Sequence, residues 1–317
     1  MSAQRLESRA VIGALYRRLN IDPQLGWVTK VSMMFQSDQP SEEYAWLGMV
    51  PAMREWIGGR QPVGFRDNGI TIENKHYEAT IEVLIDQLRR DKSGQLMLRI
   101  NELARRSQTH WASLLSTLII NAESTACYDG QYFFDTDHVE GDSGTQSNDI
   151  SVDISALPTS VHGAAATAPS TEEFQLSVVE GVKQILGFLD DKGEPMNEDA
   201  SSFLIMVPLS LFPVATAAIN TSEHSEAKVD LRERLGGMSL EVVANNRLTS
   251  WTDKFSVFRT DSETKALIRQ SETDVNVSAI AEGSELEFNH KMHQYGIDTW
   301  RNVGYGFWQD ACLVTMV

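Results

Sequence analysis

The sequence has few cysteines and no long hydrophobic run, and both absences exclude classes of protein. No apolar run reaches the roughly 20 residues that a membrane-spanning helix requires, and residues 1–20 mix arginines with scattered apolar residues instead of forming a secretory signal. We therefore expect neither membrane insertion nor export. Cys127 and Cys312 lie far apart and no Cys-x-x-Cys pair exists, which predicts two buried thiols in a reducing cytosol.

Basic residues are outnumbered, and the imbalance is confined to one part of the chain. The formal net charge is −17, from 27 basic and 44 acidic residues among 317. Residues 1–120 contain 15 Lys and Arg against 13 Asp and Glu, whereas the remainder contains 12 against 31. An acidic surface repels phosphate backbones, so specific nucleic-acid binding is not expected. The balanced N-terminal third can instead lie against an acidic neighbour, such as a second copy of the chain.

The sequence also lacks the common catalytic and phosphate-binding motifs. It contains no Gly-x-Ser-x-Gly elbow, no Walker-type loop and no Gly-x-Gly-x-x-Gly. Residues 304–306 form half of such a loop, but Phe307 and Trp308 would obstruct a phosphate, so we predict a strand with close backbone contacts. The histidines fall in different segments, at His76, His110, His138, His162, His224, His290 and His293. We predict no catalytic, cofactor-binding or metal-binding residue, and therefore no enzyme.

One stretch, residues 125–138 (TACYDGQYFFDTDH), alternates aromatic and acidic side chains and would carry any chemistry of the chain. Because carboxylates and imidazole bind metals, a metal-dependent hydrolase centred on Asp135, Asp137 and His138 is the alternative to a structural function. On a strand, however, Asp135 and Asp137 share one face while His138 points away. No second ligand cluster stands at a recognisable spacing. We therefore interpret the stretch as a packed corner whose acids bond backbone amides.

The first segment, residues 1–43, is predicted to be an N-terminal arm. Apolar residues recur at helical spacing from Val11 to Leu19, but the segment is too short to hold a core of its own. We therefore expect this arm to pack on something else.

Residues 44–85 are predicted to be an extended hairpin. Apolar and polar residues alternate from Ile70 to Ile85, after the turn signal at residues 67–69. The tryptophans and methionines before this turn belong either to a local core or to an intersubunit face. Nearby arginines favour the face, because arginine pairs with carboxylates bidentately. The predicted inter-subunit contact residues are Arg54, Trp56, Arg60 and Arg66.

The segment 96–122 changes to a period of three to four residues, which predicts one amphipathic helix of roughly 40 Å. Such a helix would serve as a strut. Beyond the corner, residues 141–169 are rich in Ser, Thr, Gly, Ala and Asp, which predicts a surface loop or linker and a domain boundary.

Residues 170–260 alternate helical and extended patterns, which predicts a compact α/β unit. Ser170 and Glu173 form a capping-box pattern before its first helix, and Pro208 is expected to begin another. Residues 261–317 return to short strands, with turns at the glycines. Their apolar C-terminus is expected to rejoin the domain that holds the long helix.

Several segments resemble the major head subunit family of Mu-like phages and prophages. They are YAWLGM at 44–49, MREW at 53–56, Asn74-Lys75 with Tyr77-Glu78, CYDGQ at 127–131 and FFDTDH at 133–138, in the same order as in that family. The resemblance extends loosely over nearly the whole chain. Residues 127–138 are its most specific part, whereas residues 139–169 and the C-terminal third match by architecture more than by motif.

The resemblance implies the HK97-like α+β fold of tailed-phage capsid subunits. Its parts would be an N-terminal arm (1–43), an extended loop (44–85), a peripheral domain with a spine helix and surface loop (86–169), an axial domain (170–260) and C-terminal strands that return to the peripheral domain (261–317). The lysine and asparagine that crosslink some relatives cannot be assigned to positions in this sequence.

The same resemblance implies hexamers and pentamers of this chain that close into an icosahedral head around double-stranded DNA, without sequence-specific binding. It implies a scaffold, a maturation protease, a portal and a decoration protein as partners. Assembly would take place in the cytoplasm of a bacterial host, and the final location would be the virion. A non-assembling host-binding or tail protein is the remaining alternative.

Overall fold

The computed structural model describes residues 8–19, 25–44, 69–90, 94–219, 231 and 235–317. Its helices are α1 (Ser8–Leu19), α2 (Gly26–Val31), α3 (Ile85–Arg90), α4 (Gln95–Gln108), α5 (His110–Ile120), α6 (Thr171–Leu186), α7 (Phe212–Ile219) and α8 (Glu285–His290). Its strands are β1 (Ser32–Gln36), β2 (Ser41–Tyr44), β3 (Ile70–Glu73), β4 (Lys75–Leu84), β5 (His138–Val139), β6 (Thr145–Gln146), β7 (Asp149–Val152), β8 (Ser202–Val207), β9 (Ser239–Ala244), β10 (Lys254–Arg259), β11 (Leu267–Ile280), β12 (Met292–Tyr305) and β13 (Ala311–Met316). No helix in these ranges is long and apolar enough to cross a membrane.

The first sheet contains four strands in the order β1-β11-β12-β4. β11 and β12 form a long antiparallel pair, β4 pairs antiparallel with β12, and β1 joins β11 in parallel. The alternation predicted for residues 70–85 is confirmed in β3 and β4, since alternate residues from Tyr77 to Val83 are half-buried or buried. Helices α1 and α4 pack on this sheet and share a hydrophobic core with it around Ile100 and Tyr295.

The second sheet contains five strands in the order β7-β13-β10-β8-β9. Strands β8, β9 and β10 confirm the extended segments predicted within residues 170–260, and α6 packs on the sheet with Phe174 fully buried. The predicted capping box is confirmed, because the Ser170 hydroxyl accepts from the Glu173 amide at 3.1 Å and the Glu173 carboxylate accepts from the Ser170 amide at 2.6 Å. Helix α7 begins at Phe212, not at Pro208, because the residues between them form a turn.

The single helix predicted over residues 96–122 is wrong, because α4 and α5 meet at Thr109. The Thr109 hydroxyl donates to the Arg106 carbonyl at 3.2 Å, a local bond that competes with continuous helix. The two helices also serve different cores. α4 buries Ile100 in the core of the first sheet, whereas α5 buries Leu115 and Ile119 in the core that contains the second sheet. Helical hydrogen bonding continues across the junction, since the Thr109 amide donates to the Arg105 carbonyl at 3.0 Å and the Ser113 amide donates to the Thr109 carbonyl at 3.2 Å.

The C-terminal part forms longer strands than predicted. β11 and β12 have 14 residues each, and Gly296 lies inside β12, although the predicted turn at Gly283 is confirmed with φ +79°. β13 lies between β7 and β10 in the second sheet, not in the first sheet, and it shares a hydrophobic core with α5. Residues 311–314 are fully buried, and a strand that is apolar throughout needs cover on both faces.

The strand predicted at residues 304–306 is confirmed for residues 304 and 305, whereas Gly306 lies just beyond the end of β12, and the close backbone contacts are confirmed at both glycines. Gly304 lies in β12, and a Cβ atom there would come within 2.4 Å of the Ile72 side chain. A Cβ atom at Gly306 would come within 2.4 Å of the Lys265 carbonyl oxygen. These glycines let the end of β12 pack closely against neighbouring segments.

The described parts of the predicted arm pack on this chain itself. α1 lies against α4 with Val11 and Leu15 fully buried, and α2 places Trp27 in the main core. The side-chain amide of Gln108 donates to the carbonyl of Arg18 at 2.8 Å and caps the end of α1. The expectation that the arm packs on something else is therefore wrong for residues 8–19 and 25–44, because their apolar stripes fit helices and strands of the same subunit.

Candidate functional site

The acidic and aromatic stretch forms a folded corner between α5 and β7. A tight turn at residues 127–130 is closed by the Gly130 amide, which donates to the Cys127 carbonyl at 3.2 Å, and by Gly130 itself at φ +90°. The Cys127 amide then donates to the Gln131 carbonyl at 2.8 Å. This turn directs Asp129 toward the buried side of the corner, where its side chain is 3% exposed.

His138 is the centre of the corner and is fully buried. Its Nδ1 lies 2.6 Å from a carboxylate oxygen of Asp129, and its Nε2 lies 3.2 Å from the side-chain oxygen of Asn148. Both ring nitrogens face oxygen atoms that can accept a hydrogen bond. The ring also stacks on Trp308, with centroids 4.1 Å apart and planes at 8°. His138 therefore joins Asp129 and Asn148, which are nine and ten residues away, to Trp308, which is distant in sequence.

Cys127, Asp129 and His138 form the group of potential metal ligands found in the described ranges, with ligand atoms within 4.8 Å of one another. The Cys127 thiol donates to Asp129 at 2.9 Å. Burial raises the pKa of this thiol far above its ordinary value, and the charge of Asp129 raises it further. Burial alone would raise the pKa of Asp129, but hydrogen bonds from His138 and Cys127 bring it below its ordinary value.

The chemistry of this group is that of a satisfied hydrogen-bond network. A protonated thiol is a poor nucleophile, so Cys127 is not activated for covalent chemistry. The Asp129 carboxylate accepts from Cys127, from His138 and, at 3.1 Å, from the Gln131 amide. A zinc ion would have to replace these hydrogen bonds, so the arrangement favours a structural role.

Of the three residues proposed for a hydrolase, Asp135 and Asp137 share a side-chain hydrogen bond, but His138 is directed to other partners. Asp135 accepts from the amides of Tyr132 at 3.1 Å and Thr136 at 2.7 Å, which is the backbone-bonding role predicted for a turn acid. Asp137 is exposed, and its neighbour Asp135 raises its pKa. His138 points to Asp129 and Asn148 instead, two partners that the sequence analysis missed. The signal for Asp129 was the glycine that follows it, since that glycine permits the tight turn.

Residues 141–169, predicted to be a surface loop or linker, contribute directly to the corner. Asn148 is fully buried, and its amide donates to the carbonyls of Phe133 at 2.7 Å and Trp308 at 3.3 Å. Strand β7 then pairs with β13 in the second sheet. The linker prediction is therefore wrong for this part, because its polar composition supplies hydrogen bonds to buried backbone groups.

A second set of buried polar groups ties the corner to residues 307–310. The Tyr128 hydroxyl donates to Glu140 and accepts from the side-chain amide of Gln309 at 3.0 Å. Burial raises the pKa of Glu140. Nearby, Asp310 is fully buried and accepts from the Thr264 hydroxyl at 2.7 Å. Burial raises the pKa of Asp310 to about 6.

Asp310 should make the stability of the subunit depend on pH. Below about pH 4 an aspartate is protonated in both states. Between about pH 4 and pH 6 the unfolded chain loses this proton while the folded chain keeps it. The free energy of unfolding therefore falls as pH rises through this range. One pKa unit corresponds to about 1.4 kcal/mol, so the loss is on the order of 2–3 kcal/mol.

Urea unfolding at pH 4, 5, 6 and 7 checks this prediction in the wild type and in Asp310→Asn. The difference in free energy of unfolding between them should change across this range and stay constant above about pH 6. Asp38→Asn, at an exposed aspartate, is the matched control and should follow the wild type. Parallel pH profiles for the wild type and Asp310→Asn would contradict the assignment.

The predicted contact residues Arg54, Trp56, Arg60 and Arg66 lie outside the described residues. The structure does describe the base of the segment that carries them. β2 pairs antiparallel with β3, with Tyr44 opposite Ile70. The Tyr44 hydroxyl donates to Gln270 of β11 at 2.7 Å, which ties the base to the first sheet.

Comparisons with known proteins place the chain among phage head proteins. The sequence model of the family "Mu-like prophage major head subunit gpT" matches residues 21–157 and 231–315. The Mu-like prophage FluMu major head subunit of Haemophilus influenzae is 36% identical over 124 residues, which cover 39% of this chain and 40% of that protein. The major capsid protein of Escherichia phage Mu is 32% identical over 109 residues, which cover 34% of this chain and 36% of that protein. The chain thus spans about two fifths of the length of these curated relatives.

A solved structure of the bacteriophage JBD30 procapsid is similar over 97% of this chain and 73% of that one, with a TM-score of 0.53 and 21% identity. At this identity the likeness concerns the fold. The HK97-like α+β fold that the sequence resemblance implied is confirmed.

Proposed function

This chain belongs to the family of the Mu-like prophage major head subunit gpT, and we propose that it is the major capsid protein that builds the icosahedral head of a Mu-like tailed phage. The observation that carries the proposal is the family match, which includes strands of both sheets and the whole corner at residues 125–149. The subunit would associate with itself as hexamers and pentamers. Its location would be the capsid of the virion.

The charge distribution supports a shell that encloses double-stranded DNA without gripping it. The chain has a net charge of −17, so most of its surface repels phosphate groups. A genome can then move freely against the inner wall while it is packed. The implied partners are a scaffold, a maturation protease and a portal in the cytoplasm of a bacterial host, together with a decoration protein.

We propose the following division of the subunit within that shell. The first sheet with α4 would form the peripheral domain, and the second sheet with α6 would form the axial domain, now including β13. Residues 44–85 would be the extended loop, whose strand β4 joins the first sheet, and residues 1–43 would be the arm, whose strand β1 joins the same sheet. No catalytic role is proposed, and the satisfied network around His138 supports this.

The contacts proposed for the extended loop predict that Arg60→Glu and Trp56→Ala impair assembly more than folding. Reversing one charge changes a guanidinium that would pair with a carboxylate of a neighbour into a group that repels it. We expect the assembled fraction to fall at least tenfold, while the free energy of unfolding changes by less than about 1 kcal/mol. Sedimentation and electron microscopy measure assembly, and urea unfolding measures folding.

Arg99→Glu, at an exposed arginine of α4, is the matched control and should assemble normally. Normal assembly of Arg60→Glu and Trp56→Ala would show that the hairpin is not a contact element. A wild-type subunit that stays monomeric under all assembly conditions would contradict the proposed function itself and favour a non-shell phage protein.

A further inference from the structure

A cavity of about 640 Å³ opens between the first sheet and helices α1, α2, α4 and α5. Two arginines on adjacent strands line it, Arg269 of β11 and Arg301 of β12, in the diagonal register of an antiparallel pair. Both guanidiniums lie over the ring of Trp111, with Cζ 5.7 Å from the centroid for Arg269 and 4.8 Å for Arg301. We call this the Arg269–Arg301 pocket.

Neither arginine forms an ion pair with a described residue, although the charge of Asp274 partly offsets the effect of burial on the pKa of Arg301. Arg301 is 3% exposed, and its Nε donates to the Thr299 hydroxyl at 3.1 Å. Arg269 donates from Nε to the Ser32 hydroxyl at 2.8 Å. The ion pairs that arginines make in the described ranges involve other residues, and no carboxylate there lies within 4.0 Å of either guanidinium. Asp274, at the exposed rim, is the acidic residue of the lining.

A buried cation without a carboxylate partner costs folding free energy. Burial lowers the pKa of Arg301 to about 10 and also lowers that of Arg269, which expresses the same cost. The Trp111 ring offsets part of it and holds both guanidiniums in place. Two fixed guanidiniums at a cavity are suited to bind a carboxylate bidentately.

The mouth of the pocket indicates what covers it. Tyr16 and Met34 line the cavity and are 45% and 41% exposed, although both are large apolar side chains. A partner that buries these side chains and delivers a carboxylate must have both apolar and acidic groups. Every other copy of this chain offers acidic residues in excess, with 31 Asp and Glu after residue 120. The cavity volume suits a short segment of such a copy.

We propose that the Arg269–Arg301 pocket receives an acidic side chain of a second copy of this chain, and that this contact joins neighbouring subunits in the shell. The inference rests on the proposed function and adds a defined contact to it. The charge pairing would form only on assembly, so the two arginines would weaken the free subunit slightly and stabilise the assembled one.

The first test compares assembly and stability in Arg301→Met and Arg269→Met. If the proposal is correct, the fraction of protein in sedimenting shells falls at least tenfold, while the unfolding midpoint of the free subunit stays the same or rises, because a buried unpaired charge is removed. Arg99→Met, at an exposed arginine, is the matched control and assembles like the wild type. Normal assembly of both variants, or a loss of assembly that only follows a lower unfolding midpoint, would overturn the proposal.

The second test identifies the occupant. A photo-crosslinking benzoylphenylalanine at position 16, in assembled particles, should give a covalent dimer whose linked peptide contains Asp or Glu of the second copy. A cross-link confined to one chain would assign the arginines to an intrachain role, and the absence of any cross-link to a second copy would overturn the proposal. Wild-type subunits that form no shells would contradict the proposed function. Normal shells formed by the arginine variants would contradict only the proposed contact at the pocket.

Discussion

His138→Ala should lower the free energy of unfolding of the subunit by about 3–5 kcal/mol. The substitution leaves the Asp129 carboxylate buried without its imidazole partner, and it removes the ring that faces Asn148 and stacks on Trp308. Removing the hydrogen-bond partner of a buried carboxylate has this cost because the charge stays desolvated. Since whole domains are stable by about 5–15 kcal/mol, this loss would be a large fraction of the total stability of the subunit.

Urea unfolding of the unassembled subunit, followed by circular dichroism, checks this prediction. His290→Ala replaces an exposed histidine at the end of α8 and should change the free energy of unfolding by no more than about 0.5 kcal/mol. Asp137→Ala, at the exposed acid once considered a metal ligand, should be equally mild. If the free energy of unfolding of His138→Ala equalled that of these two controls, the structural role of the corner would be contradicted and a functional role favoured.

Residue patterns within a few positions were sufficient to predict those strands and helix ends that short-range interactions determine. Alternation predicted β3 and β4, and the Ser170 capping box predicted the start of α6. Both signals act within a few residues, so no knowledge of the remaining chain was needed. The strand at residues 304–306 was predictable for a similar reason, because glycines next to large aromatic residues indicate close backbone contacts.

The errors concern choices between two distant partners. The break at Thr109 exists because α4 and α5 face different cores, which no periodicity within residues 96–122 reveals. The apolar C-terminal strand requires cover on both faces, but its sequence does not say which sheet provides it. The apolar stripe of α1 could equally have been buried by a neighbour or by its own subunit. In each case the apolar pattern predicts that a surface is buried, but it does not identify the sheet, helix or neighbouring subunit that buries it.

The corner illustrates the same limit for polar residues. The sequence indicated that residues 125–138 are packed and contain acids bonded to backbone amides, and Asp135 does this. It did not indicate that His138 bonds Asp129, nine residues earlier, and Asn148, ten residues later. Those pairings depend on the turn at Gly130 and on the course of the chain into β7. The family match does not reveal the contacts of His138 with Asp129 and Asn148, whereas the course of the backbone does.

Trp308→Ala should be the second substitution with a large effect, at about 3–5 kcal/mol of lost unfolding free energy. Trp308 is fully buried, with the His138 ring stacked on one face and Phe188 at its edge with centroids 5.1 Å apart. Truncation would leave a large cavity between these rings, at the junction of the corner and the second sheet. Urea unfolding measures the effect, and Trp300→Ala is the matched control, since Trp300 is 39% exposed and should cost less than about 1 kcal/mol.

Combining Trp308→Ala with His138→Ala tests whether the two side chains act as one unit. Because the rings are 4.1 Å apart, the double variant should lose less stability than the two single losses together, by about 0.5–3 kcal/mol. Additive losses would mean that the stacked pair contributes nothing beyond the separate burial of each ring. A coupled result would establish that the imidazole holds the segment around Trp308 against residues 127–148, and hence that one buried ring sets the position of the C-terminal strand.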